Sequence, residues 1–167
     1  MIDMHYLIYF FIYLSIFFFI YFLSYNVLMS IWFKNYKIED FKDSSVNIDE
    51  HLGIEFLEIG KDFFKAKMPV DKRTKQPLGL LHGGASCVLA ESTASFAAFL
   101  TIDPRKKTVV GLNLNANHIK TTTSGWVYAC AKPLHIGKST SIWDVKITND
   151  KDELVSNITF TAMHKDL

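Results

Sequence analysis

The chain has 167 residues, enough for one domain with a sizeable core, and its 18 basic and 17 acidic residues give a formal net charge of +1. No basic block and no basic stripe with interleaved aromatics occurs, which argues against nucleic acid as a partner. Cys87 and Cys130 lie in no CxxC or Cys/His cluster, so the sequence predicts neither a disulfide framework nor a zinc site and favours a reducing compartment.

The first 28 residues differ in composition from the rest. Residues 6–28 carry no charge, are rich in Phe and Tyr, and are long enough to span a bilayer. They make a poor cleavable signal peptide, because Asp3 stands where Lys or Arg is expected and no small-residue cleavage site follows. Two interpretations stay open: a membrane anchor, or a start set too early with Met29 as the true start.

The function is therefore expected in residues 29–167, with residues 1–28 as a separate hydrophobic segment. If residues 6–28 are an anchor, Lys34 and Lys37 on their C-terminal flank place the body of the protein in the cytoplasm. Without the anchor a cytoplasmic location is equally expected.

Beyond this segment, one helix signal lies among strand signals. Residues 31–49 predict a short helix and a loop, residues 69–79 a second loop, and Gly83-Gly84 opens a helix that reaches Leu100 before Asp103-Pro104. Alternating apolar and polar residues predict strands at residues 54–59, 63–68, 109–118, 126–133, 141–148 and 155–164, the first two joined as a hairpin. This order predicts an α+β domain in which an antiparallel sheet covers one helix.

Glu91 is the one charged residue in the predicted helix, where its neighbours are small or apolar. A buried carboxylate is costly unless something holds it or uses it, so Glu91 is a candidate functional acid. At the helix start, Gly83 and Gly84 allow close approach to a ligand, and the free N–H groups there favour developing negative charge. The alternative is that these glycines only let the helix pack against the sheet.

The spacing of these residues has a consequence for assembly. Residues eight apart in a helix are separated by about 12 Å along its axis, so Gly83 and Glu91 of one chain cannot both touch one small reacting group. Two antiparallel copies of the helix could bring them together, which would place the site at a two-fold interface.

From about Met29 onward the sequence closely resembles a known enzyme family. The segments that carry the resemblance are "HLGIEFLEIGKDFFKAKMPVDKRTKQPLGLLHGGASCVLAESTASFAAFL", "VVGLNLNANHIK" and "PLHIGKSTSIWDVKI". They resemble hotdog-fold acyl-CoA thioesterases of the 4-hydroxybenzoyl-CoA thioesterase superfamily, especially the bacterial enzymes that hydrolyse 1,4-dihydroxy-2-naphthoyl-CoA in menaquinone synthesis and their enterobactin proofreading relatives. The resemblance implies a hotdog fold, a coenzyme A thioester as substrate, no metal or other cofactor, and homodimers that commonly pair into dimers of dimers.

The resemblance also implies roles for individual residues. Glu91 matches the family's catalytic carboxylate, acting as general base or as nucleophile, and the Gly83 N–H matches the oxyanion donor. Gln76 and His82 match polar residues around the thioester and the attacking water, and Ser95 matches one that orients the water.

Two further strips match residues that contact the substrate or coenzyme A. The first strip comprises Gly111, His118, Ile119, Lys120 and Thr121; the second is the loop of His135, Ile136, Gly137, Lys138, Ser139 and Thr140, which holds the nucleotide end. In this loop Lys138 is the expected phosphate partner. Close relatives often have Arg and Pro where this chain has Lys120-Thr121, and Lys keeps the charge without the planar fork of Arg.

Several of these residues have a purely structural alternative. His82 could simply cap the helix, and His118 and His135 could be ordinary histidines at strand ends. Cys87, near the helix start, is a conceivable thiolate nucleophile, but no base is spaced for it and Glu91 already supplies the acid.

The sequence thus predicts a thioesterase that hydrolyses an aromatic acyl-CoA. One alternative is a broad medium-chain or phenylacetyl-type thioesterase, but phenylacetyl relatives usually carry Asp at the position of Glu91. Another is a hotdog module that binds acyl-CoA without cleaving it, against which the intact set of Gln76, His82, Gly83 and Glu91 argues. A dehydratase is disfavoured because its His-x-Pro-Gly helix entry is absent.

Overall fold

The computed structural model describes residues 4–27, 30–41 and 47–167. The chain separates into two compact units, Met1–Ile31 and Trp32–Leu167. In the first unit, helix α1 covers Met4–Val27. Among the described residues, no helix combines the length and the hydropathy needed to cross a membrane. The boundary predicted after residue 28 and the alternative start Met29 lie outside the described residues and stay predictions.

The second unit has the predicted order of two strands, one long helix and four strands. Its elements are a 3-10 turn at Ile38–Phe41, α2 Ile48–Leu52, β1 Glu55–Ile59, β2 Phe64–Pro69, α3 Gly83–Leu100, β3 Lys107–His118, β4 Trp126–Ile136, β5 Thr140–Asn149 and β6 Leu154–Asp166. The six strands form one antiparallel sheet in the order β1-β2-β4-β5-β6-β3. The predicted α+β class is therefore confirmed, and α3 has the predicted bounds.

The core lies between α3 and the inner face of the sheet. The buried side of α3 is built largely of alanines, including Ala90, Ala94 and Ala97, which let the sheet approach the helix closely. The volume comes instead from large buried side chains of the strands, such as Trp143 and Phe160. Small residues on the helix and large ones on the sheet fill the space between the two layers.

The residues at the start of the second unit are tied to this core. The indole of Trp32 stacks on that of Trp143, with ring centroids 6.4 Å apart and the planes 3° from parallel. Trp32 Nε1 also donates to the carbonyl of Gly60 at 2.6 Å, and the backbone N–H of Phe33 donates to the carbonyl of Leu100 at 2.8 Å. This segment is therefore an integral part of the fold.

Strand β3 is an edge of the sheet and pairs only with β6 in the described part of the chain. The strand predicted at residues 109–118 is present, but a bulge between Gly111 and Asn113 interrupts its regular alternation. Leu114 pairs with the buried Phe160, whereas Leu112 is the extra residue at the bulge and is 54% exposed.

We expect a chain beginning at Met29 to keep the fold of the second unit, because Trp32 and every contact described above lie beyond that point. Its thermal midpoint should equal that of the full chain in a circular dichroism melt. A much lower midpoint for the shortened chain would show that residues before Met29 stabilise the domain.

Trp32→Ala, which removes the stack and the hydrogen bond, should lower the free energy of unfolding by about 3–5 kcal/mol.

Candidate active site

Two loops fix the point at which α3 begins. The backbone N–H of His82 donates to the carbonyl of Thr74 at 2.8 Å, and that of Leu81 donates to the carbonyl of Thr122 at 2.8 Å. The turn before them closes through the N–H of Gly79 and the carbonyl of Gln76, 2.9 Å apart, and Gly79 has a φ of +80°, which favours glycine. The helix start is thus positioned by contacts outside the helix.

His82 is the N-cap of α3. Its backbone is extended, and its Nδ1 accepts a hydrogen bond from the Gly84 N–H at 2.8 Å. His82 therefore caps the helix, and its predicted role beside the thioester stays a prediction. The N–H of Gly83 has no acceptor among the described residues, so it can donate to an external oxygen.

Gly83 cannot carry a side chain without displacing His118. A Cβ built on Gly83 would lie 2.7 Å from His118 Nε2. The imidazole of His118 is held by Ser156, whose Oγ lies 3.0 Å from Nδ1. A cavity of about 290 Å³ opens here, and the predicted site residues in its lining are Gln76, Gly83, His118, Ile119, Lys120 and Thr121.

Glu91 projects from the middle of α3 toward β3. A Cβ on Gly111 would lie 3.0 Å from Glu91 Oε1, so the glycine leaves room for the carboxylate. The expectation that Glu91 is buried is wrong for the single chain, where its side chain is exposed. The reason is that β3 is an edge strand, so in the described residues no further strand lies beyond it.

Glu91 and Ser95 line a second cavity, of about 480 Å³. Its other lining residues are Ile48, Asp49, Phe56, Val88, Ser92, Phe96, Phe99 and Val109. The ring centroids of Phe56 and Phe96 lie 4.6 Å apart, so part of the wall is an aromatic cluster. None of these residues stands out in the sequence. Val88, Ser95 and Phe99 recur at helical spacing from Glu91, which is a usable signal, whereas Asp49 lies on another helix and has none.

Cys87, one turn before Glu91, has the opposite of an activated environment. Burial and the neighbouring Glu91 carboxylate both raise the pKa of the Cys87 thiol. A thiol with a raised pKa stays protonated at neutral pH, which argues against the nucleophile alternative.

The basic residues of the two predicted coenzyme A strips lie at different ends of α3. Lys120, in the cavity beside Gly83, forms an ion pair with Glu153, and hydrogen bonds from Asn149 and Lys120 lower the pKa of that carboxyl. Lys138 lies in a third cavity, of about 270 Å³, which is also lined by residues just after the end of α3. Its carbonyl accepts from Lys107 Nζ at 2.7 Å.

The loop that contains Lys138 is a tight turn, closed by the N–H of Gly137 and the carbonyl of Thr140 at 2.8 Å. Ile136 and Gly137 line the same cavity as Lys138. His135 and Ser139 are exposed on either side of the turn.

The predicted site residues therefore fall into three groups along α3. Gln76, Gly83, His118 and Lys120 gather at its start, Glu91, Ser95 and Gly111 at its middle, and the Lys138 loop near its end. Within one chain, the free N–H of Gly83 and the carboxylate of Glu91 open into different cavities. In the part of the chain that the structure describes, no three His, Cys, Asp or Glu side chains are grouped as metal ligands would be.

Comparison with known proteins matches this arrangement to one family. The model of the thioesterase superfamily matches residues 78–156. The 1,4-dihydroxy-2-naphthoyl-CoA hydrolase of Escherichia coli K12 is 47% identical over 116 residues, which cover 70% of this chain and 85% of that enzyme. A proofreading thioesterase of Cronobacter turicensis is 41% identical over 122 residues, which cover 72% of this chain and 88% of that enzyme.

Solved structures agree with the sequence relatives. The crystal structure of a mutant thioesterase from Pseudomonas aeruginosa has a TM-score of 0.81 at 39% identity and covers 83% of this chain and 100% of that one. A thioesterase from Haemophilus influenzae has a TM-score of 0.78 at 39% identity, and the match covers 82% of this chain and 96% of that one. The antiparallel sheet around one long helix is thus the hotdog fold of these enzymes, and the chain belongs to the thioesterase superfamily as a thioester hydrolase.

Proposed function

We propose that the protein hydrolyses an aromatic acyl-CoA, such as 1,4-dihydroxy-2-naphthoyl-CoA, to the free acid and coenzyme A. The observation that carries this proposal is the cavity of about 480 Å³ in which Glu91 and Ser95 face the rings of Phe56, Phe96 and Phe99. A mostly apolar pocket with a few polar groups is typical of a site for a small ligand, and aromatic walls favour a flat ring. The 47% identity to an enzyme named for this substrate supports it, and menaquinone synthesis is then the expected pathway.

In this proposal Glu91 acts on the thioester in one of two ways. As general base, it takes a proton from a water molecule oriented by Ser95, and the water oxygen adds to the carbonyl carbon. As nucleophile, its carboxylate oxygen adds directly and gives an anhydride that water then cleaves. In both cases the C–S bond breaks, and the coenzyme A thiolate leaves and takes up a proton.

The carbonyl oxygen becomes negative during this addition and needs a hydrogen-bond donor. The N–H of Gly83 has no acceptor among the described residues and stands at the N-terminus of an 18-residue helix. Such a donor stabilises an oxyanion without reorganising. His82 supports this role indirectly, since its capping bond to Gly84 fixes the first turn of the helix.

The donor and the acid of one active site come from two chains in this proposal. Gly83 and Glu91 open into different cavities of one chain, and because they are eight positions apart in the helix they are separated by about 12 Å along its axis. An antiparallel partner would place its Gly83 beside Glu91 and would also cover the exposed edge of β3. A homodimer, and by family resemblance a dimer of dimers, is therefore the proposed assembly.

Coenzyme A itself needs contacts away from the thioester. Lys120 and Lys138 are the proposed partners of its phosphates, and no metal or further cofactor takes part. Because Lys120 is already paired with Glu153, binding a phosphate there requires the lysine to exchange or share partners.

A panel of acyl-CoA thioesters tests the substrate class by release of free thiol. We expect the highest kcat/KM for 1,4-dihydroxy-2-naphthoyl-CoA and benzoyl-CoA, because a ring attached directly to the carbonyl fits the aromatic cavity next to Glu91. Phenylacetyl-CoA and octanoyl-CoA should be poorer substrates. If either of these is the best substrate, the alternative of a phenylacetyl-type or medium-chain thioesterase is correct.

Glu91→Gln and Glu91→Ala should reduce kcat by at least about 10²–10⁴-fold, the range for loss of a general acid or base. Neither change should alter the thermal midpoint by much, because Glu91 is exposed in the single chain. Glu50→Gln is the matched control, since Glu50 is an exposed carboxylate on α2. Thiol release at the unmodified rate by a Glu91 variant would exclude this mechanism.

Mixed dimers test whether the site is shared. A Glu91→Ala chain and a Gly83→Pro chain, which lacks the N–H donor, should each be inactive alone. In a heterodimer one site combines both intact groups and the other carries both defects, so about half of the unmodified activity should return.

Gly83→Ala provides the control for crowding, because it keeps the N–H but adds a Cβ that meets His118 Nε2. If Gly83→Ala is as inactive as Gly83→Pro, the displaced His118 and not the lost donor explains the defect. Heterodimers confirmed by differential tags that remain inactive would show that Glu91 acts with the helix start of its own chain.

A further inference from the structure

The cavity that contains Glu91 holds a second carboxylate, that of Asp49. Asp49 lies on α2 and is half-buried, and its Oδ1 accepts a hydrogen bond from Ser92 Oγ at 2.6 Å. Ser92 follows Glu91 directly on α3, so this contact docks α2 beside the acid. Both Asp49 and Ser92 line the cavity, together with Ile48 at its rim.

Within residues 30–41 and 47–167, nothing occupies the second oxygen of Asp49, which leaves it able to accept another hydrogen bond. No donor of the described residues bonds to Asp49 Oδ2. Among the described residues that line the cavity there is no Lys, Arg or His, so none of them supplies a cation that neutralises the two carboxylates. The remaining polar side chains of the described lining are those of Ser92 and Ser95, and its other residues are apolar.

This lining has a clear chemical preference. A hydroxyl on the acyl group could donate to Asp49 Oδ2, and such a bond to a charged acceptor is stronger than one between neutral groups. A carboxylate substituent on the acyl group would instead be repelled by the like charges of Glu91 and Asp49. An unsubstituted ring would fill the cavity but leave the half-buried Asp49 oxygen without a partner and partly desolvated.

We propose that Asp49 determines specificity by accepting a hydrogen bond from a hydroxyl group on the acyl moiety, so that hydroxylated aromatic acyl-CoA thioesters are selected over unsubstituted ones. The inference rests on the proposed function, because it takes the Glu91 cavity as the acyl pocket. Asp49 takes no part in the bond changes at the thioester.

A different role for Asp49 would be purely structural, as the acceptor that docks α2 onto α3 through Ser92. The two roles make different predictions. If Asp49 only docks α2, removing it affects all substrates alike, and Ser92→Ala has the same effect. If Asp49 determines specificity, removing it changes the ratio between substrates, whereas Ser92→Ala keeps that ratio because the Asp49 carboxylate stays in place.

The test compares benzoyl-CoA with 2-, 3- and 4-hydroxybenzoyl-CoA in the full-length protein. For the unmodified protein we expect at least one hydroxylated isomer to exceed benzoyl-CoA in kcat/KM by about tenfold or more, since sites that hydrogen-bond a substrate hydroxyl reject analogues that lack it. In Asp49→Ala this ratio should fall to about one. Glu50→Ala, the next residue of α2, and Ser92→Ala should keep the ratio of the unmodified protein.

Asp49→Asn separates charge from size, because its amide oxygen can still accept from Ser92. This variant should improve kcat/KM for 4-carboxybenzoyl-CoA relative to benzoyl-CoA, since one of the two like charges is gone. The same ratios measured as Kd in a Glu91→Gln background would show that the preference arises in binding.

Three results would overturn the inference: equal use of benzoyl-CoA and all hydroxylated isomers by the unmodified protein, a preference that survives Asp49→Ala, or a preference lost as fully in Ser92→Ala. The first of these leaves the proposed function intact, because aromatic thioesters are still cleaved. If no aromatic thioester is cleaved while another acyl-CoA is, the proposed function fails and the inference fails with it.

Discussion

The distance along α3 between Gly83 and Glu91 is the constraint on which the rest of the site depends. A helix rises about 1.5 Å per residue, so an amide at its start and an acid in its middle cannot meet on one carbonyl group. The three groups of predicted site residues lie at the start, middle and end of this helix, in three different cavities. On a second helix that runs antiparallel to the first, these groups follow in the opposite order. Gly83 of one chain can then lie beside Glu91 of the other, so that the donor and the acid meet.

Two glycines leave room for neighbouring side chains in the candidate site. At Gly83 an added Cβ would meet the ring of His118, and at Gly111 it would meet the carboxylate of Glu91. Both neighbours are polar groups of the site, so each glycine is explained by a close approach and not by a turn. His82 adds a different kind of support, since its cap holds the first turn of the helix without occupying the N–H of Gly83.

Much of the fold follows from local sequence patterns, because α3 and the strands have strong periodicity and clear turn residues. The bounds of α3 were predicted from Gly83-Gly84 and Asp103-Pro104, and the hairpin of β1 and β2 from the turn between them. The bulge at Gly111 was not predicted, because an extra residue in one strand depends on the partner strand. The exposure of Glu91 was missed for a related reason, since burial depends on where the sheet ends and not on the residues around the acid.

The chemistry of the site was partly accessible from the sequence. Glu91 stands out because its helix has no other charge, and the cap at His82 follows from its place before two glycines. Asp49 could not be found in this way, because it lies 42 residues before Glu91 and reaches the cavity only through the packing of α2 on α3. Local patterns identify residues that share an element, whereas contacts between elements emerge from the fold.

The open edge of β3 also affects the risk that newly synthesised chains aggregate. In the described residues, this 12-residue strand has a row of backbone groups without a neighbouring strand, and Val110 and Leu112 are exposed beside it. Such an edge is a template for pairing with any other extended chain, and newly made copies are at risk of aggregation while it is uncovered. The bulge at Gly111 and the polar side chains of Asn113, Asn115 and Asn117 interrupt the regularity that indiscriminate pairing requires. An irregular edge of this kind offers a poor surface to most extended chains, while a strand that matches its bulge can still pair with it.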